Sequence, residues 1–430
     1  MHKKQKRPWA VLIAIVLAIF VGSYVGKEGT LLGVSLYTIF DTVGSIFLNA
    51  LTLVVVPLVS SSIISGIARV GGDGNFGRLG VKIFSFYIGT SLLAILIGLT
   101  FVNLIAPGHN PTLASASIVE TEQIRSVQEQ ISGHEGKALI NILVSIIPSN
   151  IVSALSHGEM LGLIFFSLIF GYAISKVESQ SASILKGFFQ GLFQAMIHFT
   201  HIIMKFLPYG VFCLVAKVFM VSGAGTLASV SLFSLTVLLG LATFMFIALP
   251  LLLKWIGRVR PLRHFKAMGP ALITAFSTSS SSATLPITID CVEKRAGVSN
   301  RICSLVVPLG TSINMSGSAL YECVAAMFIA QIYGIELSFS TQFLVVMTAL
   351  IASMGVAGIP SASLVAILII LKVIGLPTEG IGLIVAVDRL LDMCRTTVNV
   401  FSDSCCAVLV ARTEGESKVL AQDVFENEGA

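Results

Sequence analysis

Five polar side chains recur along one face of the last apolar segment, AVDRLLDMCRTTVNVFSDSCCAVLVAR. Their intervals of four, three, four and four residues, at about 100° per residue, keep them within roughly 80° of a helix surface. Ionisable groups are costly in a membrane helix, and by default they line the path of a substrate or an ion. The stripe therefore predicts a binding site made of Asp388, Asp392, Arg395, Asn399 and Asp403.

The stripe also has a purely structural interpretation, in which Asp392 neutralises Arg395 and nothing binds. Five polar groups on one face favour the functional interpretation. Arg389 lies off the stripe, and its long side chain is expected to extend toward the membrane surface or to support its neighbours.

A second apolar segment, 304–331, is interrupted by small polar residues at 314–318. Such residues allow a membrane helix to unwind, and the freed carbonyl groups could ligate a hard cation such as sodium. Glu322 follows one turn later. A lone carboxylate there would be desolvated and could carry a proton. The alternative is a protonated glutamic acid that only packs, and we favour the carrier.

The third feature is the serine run at 277–282, followed by ATLPIT. Basic residues flank both ends of the short apolar segment 267–292, which predicts a hairpin that enters and leaves the membrane on one face. At its tip, backbone N–H groups could hold a carboxylate. A similar segment, 338–375, has flanks without Lys or Arg apart from Lys372, and is predicted to enter from the other face. Two opposed hairpins are typical of inverted-repeat transporters.

The composition favours a membrane protein. Of 430 residues, 55% are hydrophobic and 11% charged, against roughly 25% charged in soluble domains. Mean hydropathy is +0.92. A soluble enzyme, a disordered chain and a nucleic-acid-binding protein all fit poorly, and about eight to twelve crossings are possible. Apolar spans lie at 9–26, 37–67, 80–106, 138–175, 183–221 and 226–255, followed by a broken apolar stretch at 262–412.

Lysine and arginine alternate between the connections. The N-terminus and segment 254–266 are basic, whereas the polar loop 107–137 carries only Arg125 and Lys137 against four Glu. Basic loops face the cytoplasm. This places the N-terminus in the cytoplasm and, six crossings later, segment 254–266 there too.

Several motifs resemble those of the dicarboxylate/amino-acid:cation symporter family, which includes animal excitatory amino-acid transporters and archaeal aspartate transporters. The resemblance extends from the first span to Arg412. The motifs are SSSSATLPIT, NMSGS in place of NMDGT, ALYE, GIPSA, and LDMCRTTVNV with Asp403 following.

The resemblance implies an all-α polytopic membrane protein with eight transmembrane helices, two opposed re-entrant helical hairpins and inverted repeats. It also implies a homotrimer in which a transport domain slides against a fixed scaffold. The expected segments are scaffold helices 1–2 (1–78), transport-domain helix 3 (79–106), an external loop (107–137), scaffold helices 4–5 (138–225), transport-domain helix 6 (226–261), the transport core of hairpin 1, helix 7, hairpin 2 and helix 8 (262–412), and a cytoplasmic tail (413–430).

By family position, Arg395 would hold the substrate's side-chain carboxylate, a role that suits a forked guanidinium. Asp392 would take the amino group, and Asn399 with the backbone near Ser281 would take the α-carboxylate. An arginine at 395 favours acidic substrates, because relatives with neutral substrates lack it. The expected substrate-binding set is Arg395, Asp392, Asn399, Ser281, Ser318, Thr396 and Ile359. Ser318 stands where the family has Thr, and it keeps the hydroxyl.

The resemblance implies sodium sites as well. One is formed by Asn399, Asp403 and the carbonyl groups of Gly310 and Asn314. Another is formed by the carbonyl groups of Ser312, Ser353, Met354 and Val356, and it closes the outer hairpin. A third is formed by Tyr87, Thr90, Ser91, Asn314 and Ser316.

Two positions decide the coupling hypothesis. Ser316 replaces the aspartate of NMDGT, and the loss of one negative charge weakens cation binding. Glu322 matches the proton-carrying glutamate of the animal transporters, where sodium-only archaeal relatives have Gln. We therefore expect an acidic amino-acid symporter, coupled to sodium, protons or both, that works by elevator-type alternating access without a cofactor.

Other interpretations remain open. A C4-dicarboxylate or a neutral amino acid could be the substrate, although Asp392 would be unpaired against a dicarboxylate. Anion conductance is possible as a side activity. A hydrolase is improbable, because the sequence has no GxSxG or HExxH motif. The long loop lacks an N-x-S/T glycosylation acceptor, since in Asn110-Pro111-Thr112 the middle residue is proline, and this favours a bacterial inner membrane.

Overall fold

The computed structural model describes residues 7–26, 29–31, 34–70, 76–109, 147–157, 160–203, 205–222, 225–355 and 363–420. This part of the chain is mostly helical, as the sequence predicts. It also contains one short antiparallel strand pair, in which Thr30 pairs with Ser35 and Leu31 with Val34, that the sequence does not predict.

The elements are, in chain order, α1 (Arg7–Val25), β1 (Thr30–Leu31), β2 (Val34–Ser35), α2 (Leu36–Val70), α3 (Phe76–Ile105), α4 (Ile151–His157), α5 (Met160–Lys176), α6 (Ser179–Ile203), α7 (Leu207–Ser222), α8 (Gly225–Thr243), a π-helical turn (Phe244–Ala248), α9 (Leu249–Trp255), α10 (Pro261–Thr278), α11 (Ser281–Asp290), a π-helical turn (Cys291–Arg295), α12 (Asn300–Ile313), α13 (Ser316–Ile332), α14 (Phe339–Gly355), α15 (Ser363–Val373), a 3₁₀ turn (Thr378–Gly380) and α16 (Ile381–Thr413).

Three stretches of the described chain are long and apolar enough to cross a bilayer, judged by length and composition alone: Leu79–Ile105, Ala228–Trp255 and Asn300–Ile332. Each exceeds the roughly 20 residues that a membrane helix needs. The apolar span predicted at 183–221 is instead two helices, since α6 ends at Ile203 and α7 begins at Leu207. Pro208 lies in the first turn of α7, where a residue without a backbone N–H is tolerated.

Helix contacts form two sets. In the first, α1 packs against α7, and α2 packs against α5, α6 and α7. In the second, α3 packs against α13, and α10, α12 and α13 all pack against α16. Contacts between the sets include α7 with α16 and α2 with α14. Every residue of α13 is buried, so this helix lies at the centre of the second set.

Part of the serine run forms the turn between two helices. Only Ser279 and Ser280 separate α10 from α11, and the two helices contact each other. Ser279 has left-handed backbone angles, φ 50 and ψ 37, which reverse the chain. The Ser280 hydroxyl accepts a hydrogen bond from the Ala283 N–H at 3.2 Å and caps α11. The helices of the second predicted hairpin, α14 and α15, also contact each other. Its tip lies outside the described residues.

The segment after α16 folds back onto the second set. The Leu420 N–H donates to the Ala296 carbonyl oxygen at 2.9 Å, and Arg263 Nη1 donates to the Leu420 carbonyl oxygen at 3.1 Å. The Glu416 carboxylate accepts from the Ser299 N–H at 3.0 Å and from the Ser299 hydroxyl. Lys82 at the start of α3 pairs with Glu414. Residues 414–420 thus join α3, both ends of the first hairpin and the start of α12.

The burial of Leu420 predicts that this segment contributes to stability. Leu420 is 3% exposed, and removing a buried leucine side chain costs about 2 kcal/mol or more. Leu420→Ala should therefore lower the apparent melting temperature of the detergent-purified protein. This temperature is measured by size-exclusion chromatography of samples heated to increasing temperatures. Leu262→Ala is the matched control, because Leu262 is 76% exposed. Equal melting temperatures for the two variants would show that the segment does not stabilise the fold.

Candidate functional site

The long apolar stretch predicted to unwind is broken at Asn314 and Met315. α12 ends at Ile313 and α13 begins at Ser316, and the two residues between them have non-helical backbone angles. Asn314 is fully buried, so the break lies inside the protein. The structure thus places two helix ends and a polar side chain beside α16, where the predicted stripe lies.

The Arg395 guanidinium is the centre of the first cluster. It is fully buried, and its Nη2 donates to Asp392 Oδ1 at 2.8 Å. Its Nη1 lies 3.1 Å from Asp388 Oδ1. The ring of Tyr321 stacks 3.8 Å from the guanidinium carbon, and the Tyr321 hydroxyl donates to Asp388 Oδ1 at 3.1 Å. Carboxylates and an aromatic face therefore hold the guanidinium in one orientation.

Part of the donor capacity of Arg395 is unused. Its Nε has no hydrogen-bond partner among the described residues, and its Nη1, although paired with Asp388 by charge, is not aligned for a hydrogen bond. Unpartnered donors on a buried charged group are costly, and an anionic ligand would satisfy them. The cluster can therefore bind a carboxylate in a bidentate or bridging mode.

Arg389 reaches the same cluster from the edge of the stripe. Its Nη1 lies 3.7 Å from Asp392 Oδ2, on the carboxylate oxygen that Arg395 does not bond. These contacts link four side chains of alternating sign, whose formal charges sum to zero. They are, from one end of the cluster to the other, Asp388, Arg395, Asp392 and Arg389.

Asn399 joins α16 to the start of α13. Its Oδ1 accepts from the N–H groups of Gly317 and Ser318 at 2.8 and 3.3 Å, and its Nδ2 donates to the Ser318 hydroxyl at 3.1 Å. Its Nδ2 also lies 3.4 Å from the Met315 sulfur. The first N–H groups of a helix have no partner within the helix, and Asn399 supplies one from outside. Two predicted substrate residues, Asn399 and Ser318, are thereby brought together.

A second cluster forms around Asn314 and Asp403. The Asn314 Nδ2 donates to Asp403 Oδ1 at 2.9 Å, and its Oδ1 accepts from the hydroxyls of Ser316, Thr90 and Ser91 at 2.9, 3.2 and 3.4 Å. Asp403 Oδ2 is buried without a hydrogen-bond partner among the described residues. A buried carboxylate oxygen without a donor is open to a hard cation, which prefers oxygen ligands.

Glycine is required where α12 passes this cluster. A Cβ added to Gly310 would lie 2.5 Å from Asp403 Oδ1. The backbone of α12 can therefore approach the carboxylate only without a side chain at 310. This close approach brings Gly310 and Asp403, which were predicted to share one sodium site, into contact.

Most residues of the third predicted sodium site lie close to one another. Ser316 Oγ lies 3.2 Å from Ser91 Oγ, and both bond the Asn314 amide oxygen. Tyr87 is buried nearby, but its hydroxyl donates to the Val306 carbonyl oxygen at 2.5 Å. Ser316 thus contributes a neutral hydroxyl to this set.

The second predicted sodium set is only partly described. Ser312 and Met354 line one cavity of about 330 Å³, together with apolar side chains of α2, α3 and α5. Ser353 is buried, and its hydroxyl donates to the Leu350 carbonyl oxygen at 2.9 Å. Val356 lies outside the described residues.

The remaining predicted residues are placed as follows. Thr396 is buried on α16, and Ser281 is buried at the start of α11, which contacts α16. Ile359 lies outside the described residues. Glu322 is fully buried, and neither carboxylate oxygen has a partner with hydrogen-bond geometry among the described residues. Arg395 and the side chain of Ser363, the first residue of α15, interact with it electrostatically.

Two contributors were missed from the sequence. Ser402 accepts from the Asn314 Nδ2 at 3.2 Å and lies 3.2 Å from Ser316 Oγ. It follows Asn399 by three residues, so the helical period could have placed it at the edge of the stripe. Tyr321 had no comparable signal, because its contact with Arg395 depends on how α13 and α16 pack.

The sequence pattern of the sodium:dicarboxylate symporter family matches residues 8–413. The chain belongs to this family. It is 35% identical to a proton/sodium-glutamate symport protein of Bacillus caldotenax, over 95% of this chain and 94% of the relative. It is 33% identical to the proton/glutamate-aspartate symporter of Escherichia coli K12, over 94% and 92%. It is 35% identical to excitatory amino acid transporter 3 of Mus musculus, over 92% and 83%.

Membership of a transporter family makes the chain a multi-pass membrane protein, in agreement with its composition and its long apolar helices. The predicted family is therefore confirmed. The roles of individual side chains remain predictions, which the geometry of the two clusters supports.

The approach of α13 to α16 gives a test of the site's packing. A Cβ added to Gly317 would lie 2.9 Å from the Arg395 carbonyl oxygen, a backbone atom that cannot turn away. Gly317→Ala should therefore destabilise the protein by about 1–3 kcal/mol, the usual cost of overpacking. The measurement is the apparent melting temperature in detergent.

Gly191→Ala is the matched control, because a Cβ there would meet nothing within 4 Å. Alanine is favoured over glycine inside a helix, so this control should melt at or slightly above the wild-type temperature. A Gly317→Ala protein as stable as the control would contradict the close packing of α13 on α16.

Proposed function

We propose that this protein is a secondary active symporter that imports acidic amino acids, glutamate or aspartate, together with sodium ions, protons or both. The observation that carries the proposal is the Arg395 guanidinium, which is fully buried beside Asp392 with unused donors. Relatives similar over more than nine-tenths of the chain bear the names of glutamate and glutamate-aspartate symporters. As a transporter, the protein needs no catalytic group.

The substrate would be held through its three charges. Its side-chain carboxylate would bind Arg395, and its ammonium would bind Asp392. Its α-carboxylate would take the Asn399 Nδ2 and the backbone N–H groups near Ser281, at the tip of the first hairpin. Ser318, Thr396 and Ile359 would complete the pocket. An arginine suits this role because its fork presents parallel donors to a carboxylate.

Sodium would bind at Asp403, with Asn399 and the carbonyl groups of Gly310 and Asn314. The buried, unpartnered Oδ2 of Asp403 supports this assignment. A second ion would use the carbonyl groups of Ser312, Ser353, Met354 and Val356, near the tip of the second hairpin. The third predicted sodium site keeps its oxygen atoms but lacks a carboxylate, so we expect weak or no cation binding there. Its residues are Tyr87, Thr90, Ser91, Asn314 and Ser316.

Glu322 would carry a proton. It is buried near Arg395 without a hydrogen-bond partner among the described residues, and such a carboxylate is tolerated mainly in its protonated form. Release of the proton would then require a conformation in which water reaches the side chain.

The proposed architecture has eight transmembrane helices and two opposed re-entrant hairpins, arranged as inverted repeats. The first contact set, α1, α2 and α5–α7, would be the scaffold, and the second set would be the transport domain. The transport domain would move across the membrane as an elevator within a homotrimer. The cavity of about 330 Å³ between the sets supports a sliding interface. The home would be a bacterial inner membrane, with both termini in the cytoplasm.

Uptake into proteoliposomes tests the function. Labelled L-aspartate and L-glutamate are supplied under a sodium gradient alone, a proton gradient alone, both, or neither. Concentrative uptake in at least one gradient condition is expected. The absence of acidic amino-acid uptake in every condition, while succinate or a neutral amino acid accumulates, would overturn the proposed substrate and favour a C4-dicarboxylate or neutral amino-acid symporter.

Glu322→Gln tests the proton carrier. Glutamine keeps the size and the neutral form of the side chain but cannot release a proton. In the wild type, an inward proton gradient should accelerate aspartate uptake, and in Glu322→Gln this acceleration should vanish. Initial rates of labelled uptake at a fixed sodium gradient provide the measurement.

Glu336→Gln makes the same change at an exposed position between α13 and α14 and should behave as the wild type does. Unchanged proton acceleration in Glu322→Gln would assign the coupling proton to another group.

A further inference from the structure

Asp392 is contacted by two arginines, one on each carboxylate oxygen. Arg395 Nη2 bonds Oδ1 at 2.8 Å, and Arg389 Nη1 lies 3.7 Å from Oδ2. The proposed substrate would bring a third cation, its ammonium group, to the same carboxylate. Two cations on one oxygen repel each other, so the ammonium and Arg389 compete for Oδ2.

Arg389 is the partner that can yield. Its contact with Asp392 is the longer of the two, and its side chain is 14% exposed, whereas that of Arg395 is 0% exposed. Its Nε has no hydrogen-bond partner among the described residues, so no bond from that atom holds the guanidinium in place. A long, partly exposed side chain can swing toward water and keep its charge solvated.

The charge balance supplies the reason for a second arginine. Without a substrate, Asp388 and Asp392 face a single fully buried arginine, and one uncompensated carboxylate in an apolar environment would be costly. Arg389 provides the missing positive charge.

We propose that Arg389 is a specificity-determining residue that neutralises Asp392 in the empty transporter and yields this carboxylate to the substrate's ammonium group. The inference rests on the proposed function, because it takes Asp392 as the amine site. Arg389 thereby weakens the binding of amino acids, which must displace it. It strengthens the binding of dicarboxylates without an amine, because with these it stays in place and Asp392 remains neutralised.

The experiment compares L-aspartate with succinate, which has the same two carboxylates and no amine. Their inhibition constants against labelled L-aspartate are measured for the wild type and for Arg389→Gln. Succinate carries one more net negative charge than L-aspartate, so loss of a positive charge weakens its long-range attraction more, and the exposed control Arg301→Gln measures that part of the change. The ratio of succinate to aspartate should rise by roughly tenfold in Arg389→Gln.

Two control variants show whether the change in the ratio depends on the charge at position 389. Arg389→Lys keeps the charge and should stay closer to the wild-type ratio than Arg389→Gln does. Arg301→Gln removes a charge from an exposed position at the start of α12 and should leave the ratio unchanged. If Arg389→Gln does not elute as a single size-exclusion peak, Arg389→Met replaces it, because methionine keeps an unbranched apolar stem without the charge.

A ratio within twofold of the wild type in the charge-removing variant, with aspartate binding retained, would overturn the inference and leave the proposed function intact. A wild-type protein that binds succinate but no L-aspartate would overturn both, since Asp392 would then receive no ammonium. Direct binding of labelled succinate to the wild type, measured beside the competition, separates the second outcome from the first.

Discussion

A guanidinium buried without water must have counter-charges within reach, and the structure around Arg395 is arranged to supply them. Asp388 and Asp392 lie on the same helix, at spacings that bring both carboxylates to one side chain. Removing one partner of such a buried pair costs about 3–5 kcal/mol. The position of Arg395 therefore determines which residues the neighbouring turns of α16 and the facing turns of α13 can carry.

The close approach of α12 and α13 to α16 depends on the same constraint. The Tyr321 ring can stack on the guanidinium only if α13 lies against α16, and Gly317 has no side chain to separate the two helices. The break at Asn314 and Met315 then turns a polar side chain toward Asp403. One buried charge, two glycines and one helix break together place the Arg395 cluster and the Asp403 cluster on neighbouring turns of α16. That proximity is what the coupled transport of a substrate and an ion requires.

Much of this arrangement could be predicted from the sequence, because it follows from local rules. The helical period placed the stripe on one face, the cost of buried charge marked it as functional, and the small residues near Asn314 predicted the break. The contact of Tyr321 with Arg395 could not be predicted in the same way, since it depends on how α13 and α16 pack. Ser402 and Arg389 lie on α16 itself, each three residues from a member of the stripe, so the helical period could have placed both at its edge. The split between α6 and α7 was missed because both halves are apolar and together resemble one span, although Lys205 and Pro208 lie at the break.

The most direct test of the account uses the unaltered protein and two ligands that differ at one group. L-aspartate and L-asparagine share the ammonium and the α-carboxylate, and only L-aspartate presents a charged side chain to Arg395. Replacing a charged hydrogen-bond partner by a neutral one costs about 2–3 kcal/mol, which corresponds to roughly 30- to 150-fold in affinity. Competition of both compounds against labelled L-aspartate on the purified transporter should show L-asparagine weaker by that factor. Equal inhibition constants would contradict the claim that the buried arginine recognises the substrate's side-chain carboxylate.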